Sequence, residues 1–457
     1  VTAPDLVLFM TDQQRHDQWG VPSGGHVETP VLDRLAADGT VFETAYSAST
    51  TCVPSRAALL TGVLHHRLPT QENGLTLREG HWTIARALRD AGYQTALVGK
   101  MHFSPVHADH GFDTMRLCEH LSAQALGPLA RERGDETDDY HDWLLANGYE
   151  DWRFGPEPMA MRYDLPPETH PTAWVEREAH EVLDRRDPDR PLLLVVSFPN
   201  PHAPYNPPPA YAERYDPAES RLPADGYDAN LGLPLIFQLA TERNAQRTGP
   251  VRPDEHRRFL ALVRGMVRQI DDAMGRLVER LDLERTSVAF TADHGDYAGH
   301  RGLKRKAPWI PFDDLARVPL VASGVGVDAG RTVSTPVQTA DLALTWLELA
   351  GIAPPDDVPF GTRSLVPLLQ GDPTEADAER PVFCATSLAW PSVRVGRHKL
   401  IAHREHDTRV LFDLEADPGE TVDLATHPDH VALVDELSAL LATELARPVS
   451  TSGSTAP

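Results

Sequence analysis

Leu6-Val7-Leu8-Phe9-Met10-Thr11-Asp12-Gln13 is an apolar run that stops at a carboxylate and an amide. A short continuous apolar run, without the alternation of a half-exposed strand, reads as a strand buried on both faces. The same design recurs three times. Thr95-Ala96-Leu97-Val98 leads to Lys100 and His102. Leu192-Leu193-Leu194-Val195-Val196-Ser197-Phe198 leads to Asn200 and His202, and Ser287-Val288-Ala289-Phe290 leads to Asp293 and His294. Helical stretches lie between these runs, over 30–38, 82–91 and 259–281. Strands alternating with helices predict an α/β fold with a large, mostly parallel central sheet covered by helices on both faces. Ligands of such sheets bind beyond the carboxyl ends of the strands. Four separate strands deliver Asp, His and Lys to that edge.

The segment Thr51-Cys52-Val53-Pro54-Ser55-Arg56-Ala57-Ala58-Leu59-Leu60-Thr61-Gly62 adds a nucleophile. Pro54 suits the first turn of a helix, where its missing N–H needs no partner. The free N–H groups of a helix start, and the charge of Arg56, would stabilise an anion at Cys52. Taken alone, a cysteine is as readily a small buried hydrophobe as a reactive group. The whole segment, however, resembles the C-x-P-S-R-x-x-x-x-T-G signature of type I sulfatases in the alkaline phosphatase superfamily. That resemblance implies that Cys52 is oxidised to formylglycine by a formylglycine-generating enzyme, and that the hydrated aldehyde is the nucleophile.

The chain has 457 residues, 41% hydrophobic and 24% charged, the proportions of an ordinary globular protein. Its formal net charge of -24 argues against nucleic-acid binding, which needs a basic face. An acidic protein that holds an anionic ester must gather positive charge in one place or borrow it from a metal. Lysine marks that place: it occurs only at Lys100, Lys304, Lys306 and Lys399, arginine supplying the rest of the 43 basic residues. The three cysteines make no disulfide framework. With Cys52 modified, Cys118 and Cys384 are left as candidates for a pair. No run is long enough for a transmembrane helix, so no membrane association is expected. The first apolar strand begins by Leu6, which leaves no room for a leader in the sequence as it stands, and a cytoplasmic location is the expectation.

The stretch 117–190 is rich in Asp, Glu, Trp and Pro with little periodicity. It reads as excursions from the core, either pocket walls or a solvated insertion, with Asp138, Asp139, Tyr140, Trp143 and Trp152 as candidates for substrate contact. After Asp372 short strands are predicted over 382–385, 392–395, 399–402 and 410–413, followed by a helix over 428–445 with an apolar stripe. This predicts a catalytic domain over 1–372 and a C-terminal subdomain over 373–457, a small antiparallel sheet with one helix and a disordered tail from Ser450. Leu411-Phe412-Asp413-Leu414 and Asp417-Pro418-Gly419-Glu420 resemble the C-terminal strand and turn of arylsulfatase-like proteins.

A hard cation needs oxygen donors converging from separate elements. Asp12 with Gln13, and Asp293 with His294, stand at two strand ends, and the resemblance makes these four, with position 52, the ligands of one divalent ion. Many sulfatases have Asp-Asp and Asp-Asn at these pairs; Asp-Gln and Asp-His resemble the choline-sulfatase and phosphonate-monoesterase branches. Calcium is the ion that the family implies, with manganese or magnesium as alternatives, since imidazole suits manganese better than calcium. Gly99-Lys100-Met101-His102 resembles the family's G-K-x-H segment. In an extended stretch residues two apart point the same way, so Lys100 and His102 are expected to face one pocket. His202, between prolines in Pro199-Asn200-Pro201-His202-Ala203-Pro204, resembles the P-H-x-P segment and implies contact with the sulfate and the leaving group. Gly302-Leu303-Lys304-Arg305-Lys306 offers two lysines for the bridging oxygen, and the G-L-x-x-K pattern favours Lys306.

The resemblance therefore implies hydrolysis of a small-molecule sulfate ester. Two other readings stand beside it: a phosphonate monoester or phosphodiester hydrolase on the same scaffold, and a silent binding protein never converted at Cys52.

Overall fold

The computed structural model describes residues 3–75, 77, 80–119, 137–151, 161–223, 227–371, 379–385 and 389–449. The expected domain boundary at 372, Trp152 and the tail from Ser450 lie outside them. Among the described residues no helix is long and apolar enough to cross a membrane.

The four apolar runs form adjacent strands. The main sheet has eight, in the order Arg331–Val333, Gly39–Phe42, Leu320–Gly324, Thr286–Ala292, Asp5–Asp12, Leu192–Pro201, Gln94–Gly99 and Thr114–Leu117. Leu320–Gly324 runs antiparallel to both neighbours, and the other pairings are parallel. Asp5–Asp12 lies between Leu192–Pro201 and Thr286–Ala292, so Asp12, Asp293 and His202 emerge at one edge.

Side-chain alternation along that central strand feeds two cores. Leu6, Leu8 and Met10 pack with Val53, Ala57 and Leu60 of the Cys52–Thr61 helix, and with Ile84 and Trp346. Val7 and Phe9 face the other way, toward Leu32, Trp174, Val175, Ile270 and Met274. Both faces are thus dry, which is why these strands carry no polar alternation. The long helix beyond the third run covers Pro253–Val278 rather than 259–281, Pro253 standing in its first turn.

The stretch 117–190 departs from the expectation. Pro171–Arg185 is a 15-residue helix packed on the sheet, with Trp174, Val175 and Ala179 buried. Its apolar positions were masked by acidic and proline-rich neighbours. Tyr140 is a core residue whose hydroxyl donates to Thr169 O at 2.6 Å. Asp138 caps the Asp139–Ala146 helix by accepting from His141 N. Asp139 accepts from Leu117 N at 2.7 Å. Trp143 lies under the Arg177 guanidinium at 4.1 Å. None of these four side chains is left projecting for a substrate.

Val382–Ala385, Pro391–Val395, His398–Ala402 and Arg409–Asp413 form a four-stranded antiparallel sheet. The Val431–Leu445 helix covers one face through Val434, Leu437 and Leu441, in a cluster shared with Ala58 and Leu64. Cys118 and Cys384 are buried in separate clusters and form no disulfide with each other.

Candidate active site

Cys52 is the first residue of the Cys52–Thr61 helix, and Thr51 is the extended residue before it. Gly62 ends the helix at φ 64, a left-handed position that glycine takes without a Cβ clash. The sulfur is fully buried. It lies 2.9 Å from Lys306 Nζ, 3.2 Å from His294 Nε2 and 3.7 Å from Asp12 Oδ1. Donor atoms of Asp12, Cys52, Asp293 and His294 lie within 4.8 Å of one another.

Two residues of the motif hold the far strand end. Ser55 Oγ donates to Asp293 O at 2.5 Å, and Arg56 Nε donates to Asp293 Oδ2 at 2.9 Å. The Arg56 Nη1 group donates to Lys100 O and to Ser197 Oγ. Arg56, expected to stabilise an anion at Cys52, does interact electrostatically with that thiol, but its guanidinium hydrogen bonds go to Asp293, Lys100 O and Ser197. It is buried against three strands, where its fork meets the Asp293 carboxylate and two further acceptors.

The imidazole of His294 is oriented for ligation. Nδ1 lies 2.8 Å from Gly295 O and donates to it, which directs Nε2, the atom that a metal would take, toward Cys52. Metal-binding histidines are fixed this way, by a second ring nitrogen donating to a carbonyl. Gln13 is similar. Asp296 Oδ2 takes its Nε2 hydrogen at 2.6 Å, and its Oε1 is buried with no partner among the described residues. Its left-handed backbone, at φ 65, lets its N–H donate to Asp293 Oδ1 at 3.0 Å. An oriented imidazole, two buried carboxylates and an orphaned amide oxygen fit a divalent cation.

Electrostatics agrees with that donor set. Burial and the Asp12 charge push Asp293 up, against His294 and Arg56. Burial also pushes Asp12 up, but Lys100, Arg56 and Lys306 hold it well below the usual carboxylate range. For Cys52, burial and Asp12 oppose ionisation, yet Lys100, Lys306 and His294 outweigh them and hold the thiol well below its ordinary value. The site favours negative charge at position 52. His202 Nδ1 lies 2.8 Å from Ala203 O, so it carries the hydrogen, and burial lowers its pKa to about 3.

The two lysine questions have different answers. Lys306 reaches Cys52, whereas Lys304 Nζ donates to Thr248 O at 3.3 Å. Lys100 is buried in an ion pair with Asp12 Oδ2. The alternation expected to align Lys100 with His102 does not exist, because the strand ends at Gly99. That glycine has φ 101, and a Cβ there would stand 1.9 Å from Ser197 O. His102 is left-handed at φ 71 and half-buried, its N–H donating to Glu119 Oε1 at 2.8 Å. The main charges acting on Cys52 come from Asp12, Lys100, Lys306 and His294. Glu119, Asp296 and Ser197, which hold the site from behind, were missed. Only Asp296, two residues beyond His294, had a signal in the sequence.

The sequence matches the Sulfatase family over residues 4–352, and the C-terminal region of N-sulphoglucosamine sulphohydrolase over 309–447. It is 29% identical to an arylsulfatase of Clostridium perfringens, covering 97% of this chain and 94% of that protein. A choline-sulfatase of Rhizobium meliloti is 30% identical, covering 93% and 83%. The fold is similar to that of the phosphonate monoester hydrolase of Agrobacterium radiobacter, with TM-score 0.79 at 23% identity over 97% of this chain and 95% of that one. With the signature at Cys52 seated among these strand ends, the chain belongs to the sulfatase family of the alkaline phosphatase superfamily and is a sulfuric ester hydrolase.

Proposed function

We propose that the protein cleaves its sulfate ester with one divalent cation and with formylglycine formed from Cys52 by a maturation enzyme. The Cys52 sulfur then stands where the oxygen of that group would be. The convergence of Asp12, Asp293, His294 and position 52 within 4.8 Å supports the reading most directly, with Gln13 Oε1 as a further ligand. When bound, the ion would draw charge from the ester oxygens, and formylglycine would supply the nucleophilic oxygen. Carboxylate and amide oxygens suit calcium or magnesium, and the imidazole adds affinity for manganese.

The chain's own side chains do the remainder. Lys100, paired with Asp12, holds a preorganised positive charge beside the nucleophile. Lys306, 2.9 Å from position 52, places a second charge where the sulfuryl oxygens gather electron density. Lys306 is also the donor to the departing alcohol. The His202 ring is held neutral and its Nδ1 hydrogen is committed to Ala203 O, so it positions rather than protonates.

Mass spectrometry of the peptide containing position 52 tests the modification, since formylglycine is lighter than cysteine. Cys52→Ala should abolish turnover of 4-nitrophenyl sulfate and leave the melting temperature unchanged; retained turnover would sink the reading. Comparing a sulfate and a phosphonate ester of one phenol separates the sulfatase reading from the phosphonate monoester or phosphodiester alternative, which the Agrobacterium radiobacter fold likeness keeps in view.

A further inference from the structure

Lys306 belongs to a segment that makes little regular structure of its own. Three non-glycine residues around it are left-handed: Arg301 at φ 57, Arg305 at φ 60 and Trp309 at φ 63. Such backbone persists only where its surroundings over-determine it. Asn244 donates to Ala307 O at 2.9 Å and Thr50 to Trp309 O at 3.1 Å, and the C-terminal sheet supplies an apolar wall. Leu303, Ile310 and Phe312 pack against Ile401, Val410 and Phe412.

A buried polar clamp closes both ends of the segment. Glu420 follows the last C-terminal strand and is 1% exposed. Its Oε2 accepts from Asp313 N at 2.6 Å and lies 3.7 Å from Arg301 Nη2. Arg301 also donates to the carbonyls of Gly419 and Glu420, and its guanidinium lies over Phe312 at 3.7 Å. Lys399, from the C-terminal sheet, bridges Asp313 Oδ1 at 2.7 Å and Glu420 Oε1 at 2.9 Å. One carboxylate from outside the segment thus ties its entry, Arg301, to its exit, Asp313. An ion-pair network buried for stability alone gains little over apolar packing. A network that spans the ends of a strained loop fixes geometry.

We propose that Glu420 is a positioning residue for Lys306: together with Lys399 and Arg301 it holds the 301–313 segment at the register that brings the lysine to position 52. This rests on the role of Lys306 proposed above. The C-terminal sheet is then part of the catalytic apparatus, although none of its described side chains touches Cys52.

The test is a double-mutant cycle. kcat and KM for 4-nitrophenyl sulfate and phenyl sulfate are measured for the wild type, Glu420→Gln, Lys306→Ala and the double variant, each with its metal content. Glu420→Gln should lower kcat about tenfold with KM within about twofold, more for the poorer leaving group, and should add no loss once Lys306 is gone. An equal loss in both backgrounds, or none in either, overturns the proposal while leaving the role of Lys306 intact. Wild-type kcat in Lys306→Ala overturns the underlying reading as well. If Glu420→Gln fails to fold, Arg301→Lys enters the same cycle, since it keeps the charge and loses the fork that grips Gly419 and Glu420. Additive behaviour of that variant counts against the proposal.

Discussion

Arg56 Nε donates to Asp293 Oδ2 at 2.9 Å across 237 residues of sequence, and both side chains are buried. The contact joins the helix that carries Cys52 to the strand that carries a candidate metal ligand. Ser55 reinforces it on the same residue through the Asp293 carbonyl. Serine and arginine in the motif therefore hold the two halves of the site together.

Removing Arg56 takes the guanidinium from Asp293 Oδ2 in a dry interior and leaves this carboxylate the backbone N–H groups of Gln13 and His294, both on Oδ1. Arg56→Met is expected to cost about 3–5 kcal/mol in urea unfolding. A loss below about 1 kcal/mol, the range of an exposed pair, would contradict the buried pairing.

The two neighbouring lysines should separate cleanly. Lys306→Ala is expected to lower kcat by about 10²–10⁴-fold, the range of a lost proton donor or charge stabiliser. Lys304→Ala should stay within about twofold of wild type, because it loses only the bond to Thr248 O. Equal losses for the two variants would mean that the loop is seated differently.

Asp296 holds the amide of Gln13 so that Oε1 is the atom left for the ion. Asp296→Ala should weaken metal binding by about 10–100-fold, as outer partners of metal ligands do. Titrating manganese into chelator-treated protein and following it by calorimetry checks this. Unchanged affinity would remove Gln13 from the ligand set.

Acid should draw stability from His16, half-buried, and His110, buried, both held neutral in the folded protein. Burial holds His16 and His110 at about 4. Unfolded, they titrate near 6.5, so between pH 6.5 and 4 the unfolded chain binds more protons. The stability contributed by these two histidines therefore falls as pH drops through that window, by up to about 1.4 kcal/mol per pH unit for each, and is constant above it. His110→Asn, which tolerates the φ of 45 at that position, should flatten the fall measured by urea unfolding at pH 7 and pH 5. An unchanged difference would rule out its contribution.

Much of the site was legible because strand ends announce themselves. An apolar run that stops at Asp12, at Asp293 or before Lys100 states that a polar group stands at the sheet edge, whatever else the chain does. The helix stretches that drew no expectation failed for an equally physical reason. Pro171–Arg185 buries one face through Trp174, Val175, Ala179 and Leu183, while Glu, Arg and His crowd the other, and prolines before it suggested a loop. His102 was paired with Lys100 on an alternation that Gly99 interrupts.

By itself the sequence determined the period of burial, and with it the parallel α/β core, the C-terminal sheet and helix, and the identity of the charged groups at the strand tips. These are local properties, set by each residue's affinity for water and its neighbours along the chain. Only the tertiary structure decided that Arg56 faces inward to Asp293, that Lys306 rather than Lys304 reaches Cys52, and that Glu420 closes the loop between them. Those choices depend on distances across hundreds of residues, where a buried charge takes whichever partner packing brings within reach.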